Sequence, residues 1–111
     1  MKIAVFSTDK NFDSKAGGVF GKARFIFVAD TESRVVRILD ISKIAELPFD
    51  SGMVAAELLI RAGVDCAAAG SIDDECVEVL SGKGVRVFTG VSGTAREIID
   101  HIASGGSLEK K

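Results

Sequence analysis

The run Val64-Asp65-Cys66-Ala67-Ala68-Ala69-Gly70 decides how this chain folds. It is short and almost wholly apolar, and it breaks at a Gly70-Ser71 pair. Between two helical patterns, such a run reads as a parallel strand buried on both faces. Its small side chains let helices pack close on either side. The loop after it opens at the carboxyl end of the strand, where open α/β sheets hold ligands.

The patterns on either side follow from that strand. Upstream, a helix starts near Ser51, with a body over residues 53–62 and Gly63 ending it. Glu57 and Arg61 form an i,i+4 pair on its wet face. Downstream, Ser71 is predicted to cap a second helix, with Asp74 three residues on. Asp73, Asp74 and Glu75 fall in its first turn, where the helix dipole favours negative charge. Cys76, Val77, Val79 and Leu80 supply its inner face, and Gly82-Lys83-Gly84 stops it. A last strand over 85–88 leads through Gly90-Val91-Ser92-Gly93-Thr94 into a third helix over 95–104. Thr94 and Glu97 form a capping box there, and Ala95, Ile98, Ile99, Ile102 and Ala103 share one face.

Toward the N-terminus, residues 2–7 read as a buried strand. A polar, glycine-containing loop covers 9–23, a length that in small domains often carries function. Residues 24–30 and 35–41 form a hairpin around the turn at 31–34, and 41–50 is a connector. The order is β β β α β α β α, in one domain over 1–106 with a tail at 107–111.

The 111 residues suffice for one core and are too few for two ordinary domains. Hydrophobic residues make up 47% and charged residues 27%, a balance normal for a compact soluble protein. Fourteen basic against sixteen acidic residues leave a net charge of −2, which argues against a nucleic-acid partner. No apolar run approaches the ~20 residues of a membrane span. The N-terminus enters a strand with no signal-peptide layout, so the expected location is cytoplasmic. Cys66 and Cys76 lack metal-site spacing, and a reducing cytosol disfavours a disulfide between them.

With the order of elements in hand, the chain resembles the dinitrogenase iron-molybdenum cofactor biosynthesis family, the small domain shared by NifX, NafY and the C-terminal part of NifB. The resemblance covers nearly the whole chain. It rests on Met1-Lys2-Ile3-Ala4-Val5-Phe6-Ser7-Thr8-Asp9, on Phe20-Gly21-Lys22-Ala23, and on Gly52-Met53-Val54-Ala55-Ala56-Glu57-Leu58-Leu59 with Ala62-Gly63-Val64-Asp65. Gly84-Val85-Arg86-Val87-Phe88-Thr89-Gly90 and Gly93-Thr94 complete it. The resemblance implies a ribonuclease-H-like three-layer α/β/α sandwich. Its mixed five-stranded sheet would have order 3-2-1-4-5 with strand two antiparallel. It also implies a non-enzymatic carrier whose cargo is an iron-sulfur or iron-molybdenum cluster. Cluster-binding members carry His-Phe-Gly where this chain has Val19-Phe20-Gly21. Many also place His or Cys where it has Ser51-Gly52-Met53. Cluster ligands are thiolates or imidazoles, and Val supplies neither.

The candidate site is the rim formed by Asp9, Lys10, Phe20, Gly21, Ser51, Gly52, Gly70, Ser71, Gly90, Ser92, Gly93 and Thr94. In the implied topology these turns leave the carboxyl ends of parallel strands, and helix starts point bare N–H groups toward them. The expected partner is an anionic small molecule or a metal cluster. Lys10, Lys15 and Lys22 could close over it, with Gly17-Gly18 as hinges and the 9–23 loop as a lid. The plainer reading is that small residues make short turns and that the loop is solvated. No Walker spacing of Gly-Lys-Ser/Thr occurs. Phe12 and Phe20 read as pins into the core. His101 reads as a surface residue near a helix C-terminus, and both cysteines as small core hydrophobes, with a shared soft-metal site left open. Nuclease chemistry needs carboxylates converging on divalent metal; Asp9, Asp13, Asp30 and Asp40 are available, but Asp9 ends its strand and the fourth strand has only Asp65, at its start. A metal-free nucleotide- or phosphate-binding regulatory domain is the alternative. A second alternative is an interaction module that pairs a protein partner with the edge of strand three or strand five.

Overall fold

In β1 (Lys2–Ser7), neighbouring side chains turn to opposite faces of the sheet and so divide the interior in two. Ile3 and Val5 face one core and Ala4 and Phe6 the other, all fully buried. The computed structural model describes residues 1–13, 15–20 and 22–105. After β1 come β2 (Phe25–Asp30), β3 (Val35–Asp40), α1 (Ser42–Ala45), α2 (Ser51–Ala62) and β4 (Cys66–Ala68). Then follow α3 (Asp74–Gly82), β5 (Arg86–Phe88) and α4 (Ala95–Ala103).

The sheet runs β3-β2-β1-β4-β5. β2 is antiparallel to both β1 and β3, while β1, β4 and β5 run parallel. This is the mixed order implied by the resemblance. β4 behaves as its composition demands: Cys66, Ala67 and Ala68 are all at 0% exposure. Ala67 and Ala69 face Ala55, Ala56 and Leu59 of α2 and Cys76 and Leu80 of α3. Cys66 and Ala68 face Ala95, Ile98, Ile99 and Ile102 of α4. Helices α1 to α3 therefore cover one face and α4 the other, giving three layers. Phe6 and Phe20 anchor the first core with ring centroids 4.5 Å apart, and Phe27 and Phe88 are sealed in the second. Truncating a phenylalanine at 0% exposure costs about 3–5 kcal/mol.

Local chemistry accounts for most element ends. Gly63 closes α2 in the left-handed conformation (φ +75°). Thr94 and Glu97 form the expected capping box of α4. Three expectations are corrected. The 41–50 connector contains α1, one helical turn with Ile41 as its N-cap; just before it the Asp40 carboxylate accepts from the Ser42 N–H (2.9 Å) and Oγ (2.6 Å). The second of the three expected helices, α3, begins at Asp74 with Asp73 as its N-cap and no side-chain cap, so Ser71 does not cap it. Ser71 instead forms a parallel bridge with Val19. Ala103 is exposed, so the apolar face of α4 ends at Ile102. The 107–111 tail lies outside the described residues. Among the described residues, no helix is long and apolar enough to cross a membrane.

Candidate functional site

The loop after β1 returns across the carboxyl ends of the strands and bonds to them. Gly17 N–H donates to Phe6 O (2.7 Å) and Ala16 N–H to Gly93 O (2.8 Å). Gly70 and Ser71 N–H both donate to Gly18 O (2.8 and 3.2 Å), and Phe20 N–H donates to Ser71 O (2.8 Å). A Cβ on Gly70 would stand 2.9 Å from Gly18 N, so only glycine admits this approach. The amides expected to receive an anion at Gly70-Ser71 are therefore already bonded to the protein's own backbone. The segment is no free lid. Its far part is held by Phe12, whose ring lies 5.5 Å from that of Phe27. Asp13 pairs with Arg96 at 2.7 Å, and the Arg96 guanidinium lies 4.6 Å from the Phe12 ring centroid.

This crossing splits the rim into two openings. The first is a cleft of about 240 Å³ between Val19, Phe20 and Lys22 on one side and the start of α2 on the other. Phe20, Ser51 and Gly52 of the expected set line it, together with Val19, Met53 and Cys76. Asp50, the N-cap of α2, lies in the left-handed region (φ +62°) and offers no side-chain cap. The first intrahelical bond is Val54 N–H to Asp50 O (3.0 Å), so the amides of Ser51, Gly52 and Met53 precede it. Cys76 Sγ lies 3.8 Å from Met53 Sδ. Burial pushes the Cys76 thiol above its ordinary range, and Asp73 and Glu75 push it the same way. Asp50, Asp73 and Glu75 make the lining acidic. Lys22 also lines it, but its Nζ is turned to the carbonyls of Ala45 (3.3 Å) and Leu47 (3.0 Å). Val19 and Phe49 are exposed at 52% and 80%, the first in the lining and the second between two of its residues, Pro48 and Asp50.

The second opening is a groove of about 760 Å³ that takes Gly70, Ser71 and Gly90. Ser81, Thr89 and Arg86 also line it, the last with its guanidinium 5.2 Å from the Phe88 ring centroid. Gly90 N–H is bonded to Gly70 O at 2.9 Å. Asp9, Lys10, Ser92, Gly93 and Thr94 line neither opening. Asp9 closes a turn by accepting from Asn11 N–H, Thr94 caps α4, and Gly93 O accepts from Ala16. Gly21 lies outside the described residues.

Met53 and Cys76, and the carboxylates Asp50, Asp73 and Glu75, are among the lining residues that sequence reasoning did not assign to the site. Met53 and Cys76 are separated by a whole strand, so no spacing links them. Only the fold shows the approach: a Cβ on Gly52 would meet Cys76 Sγ at 3.0 Å. The shared site left open for Cys66 and Cys76 does not form, because the two lie in different cores on opposite faces of the sheet. Cys66 lies 3.8 Å from Met1 Sδ instead, its thiol also raised by burial. His101 is exposed in the last turn of α4. Asp13 is paired with Arg96, Asp30 accepts from Glu32 N–H, and Asp40 accepts from Ser42 N–H. No group of three or more His, Cys, Asp or Glu able to hold a metal occurs among the described residues.

A three-layer α/β domain with a sulfur-lined cleft at the start of its second helix defines the class. The chain belongs to the family described as dinitrogenase iron-molybdenum cofactor, whose model matches residues 1–105. No curated protein matches it. Among solved structures, it is similar to the apo form of the orange protein from Desulfovibrio gigas. That match has 22% identity and a TM-score of 0.86, covering 94% of this chain and 88% of the other. It is also similar to a candidate NifB protein from Thermotoga, at 27% identity and a TM-score of 0.78, covering 99% and 95%.

Proposed function

We propose that the chain is a non-enzymatic carrier or accessory protein that holds a metal-cluster cargo in the cleft between Val19 and the start of α2. Family membership supports the carrier class. The observation that carries the location is the Cys76–Met53 sulfur pair, 3.8 Å apart, between the two segments where the resemblance places donors. A thiol and a thioether are soft donors suited to cluster metals. They are fewer than the four ligands of a closed iron-sulfur site. Val19 adds none. The cargo is thus held by Cys76 and Met53, by the amides of Gly52 and Met53, and by packing against Val19 and Phe20. Asp50, Asp73 and Glu75 disfavour a bare polyanion and accept a cargo that presents metal to the wall.

Anaerobic reconstitution with iron and sulfide, followed by metal counting, tests this. The expected result is stoichiometric uptake that Cys76→Ser abolishes and Cys66→Ser leaves intact. Binding needs the thiolate, and the Cys76 thiol is raised, so uptake increases as pH rises through the thiol range. Absence of uptake at every pH removes the reading. The groove beside Gly90 favours one second reading, a phosphate ester held by Arg86 and the hydroxyls of Ser71, Ser81 and Thr89. A rise in melting temperature with phosphate esters, lost in Arg86→Ala, would select it.

A further inference from the structure

A third groove, of about 540 Å³, lies between the end of α2 and the β2–β3 hairpin. It shares no lining residue with either opening of the rim. The strand registers explain its walls. On the face that α2 covers, Lys2 stands beside Asp30 and then Val35, and Ala4 beside Val28 and then Arg37. α2 stops at Ala62, whose carbonyl accepts from Lys2 Nζ (3.4 Å). Val28, Val35, Leu39 and Ala62 give the groove an apolar lining. Its volume falls within the about 300–1,000 Å³ of small-molecule sites.

The charges in the lining decide what fits. The Asp30 carboxylate is already answered by the protein. It accepts from the N–H groups of Glu32 (2.9 Å) and Ser33 (3.5 Å). Those bonds, with the N-terminal ammonium and Lys2 nearby, hold it below the usual carboxylate range. Arg37 is the reverse case. Among the described residues its guanidinium makes no ion pair and no hydrogen bond. The register sets it opposite Val28, with Val35 and Leu39 on either side along its own strand. An unmatched cation on an apolar wall is complementary to a molecule with an apolar body and a single negative charge. We infer that this groove binds a small carboxylate with an apolar body, such as an aromatic acid. The Arg37 guanidinium takes the carboxylate through two parallel N–H···O bonds, and Val28, Val35 and Leu39 pack the apolar part. Val35, 48% exposed in the free chain, is then covered by the ligand. Asp30 disfavours a polyanion at the same place.

Amide-resolved NMR of the intact chain titrated with naphthaleneacetate tests this. Saturation is expected below about 1 mM, with shifts centred on Val28, Asp30, Ser33, Val35, Arg37 and Leu39. Naphthaleneethanol keeps the ring and lacks the charge, and it is expected to bind about tenfold more weakly. Arg37→Gln, at an exposed position, brings the carboxylate down to the level of the alcohol and leaves the alcohol unchanged. Val35→Asp, also exposed, weakens both. Absence of saturation, shifts centred elsewhere, equal binding of the two probes, or carboxylate binding indifferent to Arg37→Gln overturns the proposal. So does a concentration-dependent shift of the same residues without any probe, which would give the groove to a second copy of the chain.

Discussion

At the scale of the residue, Gly70 governs how the site is divided. An added Cβ would meet Gly18 N at 2.9 Å and Gly18 O at 3.0 Å, both backbone atoms that cannot rotate away. Gly70→Ala is therefore expected to lower stability by about 1–3 kcal/mol, the cost of overpacking a filled space. Urea unfolding measures this, and an unchanged midpoint would mean that the crossing segment does not rest on Gly70. The Gly70-Ser71 pair was legible as a turn, since short apolar runs end at such residues. Its closure by Gly18 was not, because 52 positions separate the two and no local pattern reports a contact of that range. The same distance hid the role of Ser71. Read locally it was a helix cap; in the fold its amide and carbonyl bond to Gly18 and Phe20.

At the scale of the element, the regular parts were readable wherever period and chemistry agreed. β1 and β2 alternate between two cores, β4 is apolar on both faces, and α4 has both a capping box and one apolar stripe. Thr94 Oγ1 accepts from Glu97 N–H (3.1 Å), and Glu97 Oε1 accepts from Thr94 N–H (3.0 Å). Thr94→Ala should cost about 1 kcal/mol by circular-dichroism melting. A loss indistinguishable from zero would show that packing of Ile98, Ile99 and Ile102 alone holds α4. α1 escaped notice because a single turn has no period to detect, and its N-cap, Ile41, carries no capping side chain. α3 starts later than the Ser71-Asp74 spacing suggested, since Ser71 is already engaged by the crossing segment.

At the scale of the whole molecule, a parallel β1-β4-β5 core gathers its turns at one rim, and the loop after β1 then occupies the middle of that rim. The fold was legible in the order of elements and in the resemblance. The division of the rim was not, because it arises from tertiary hydrogen bonds made by a loop without a periodic pattern. What remains open at the start of α2 brings Cys76 beside Met53, and the account places the cargo there. Amide-resolved NMR during anaerobic loading with iron and sulfide tests that placement most directly. The account predicts resonance loss centred on Val19, Phe20, Lys22, Asp50, Ser51, Gly52, Met53, Asp73, Glu75 and Cys76. Loss centred on Gly70, Thr89 and Gly90, or no change at the α2 cleft while metal is taken up, would contradict it.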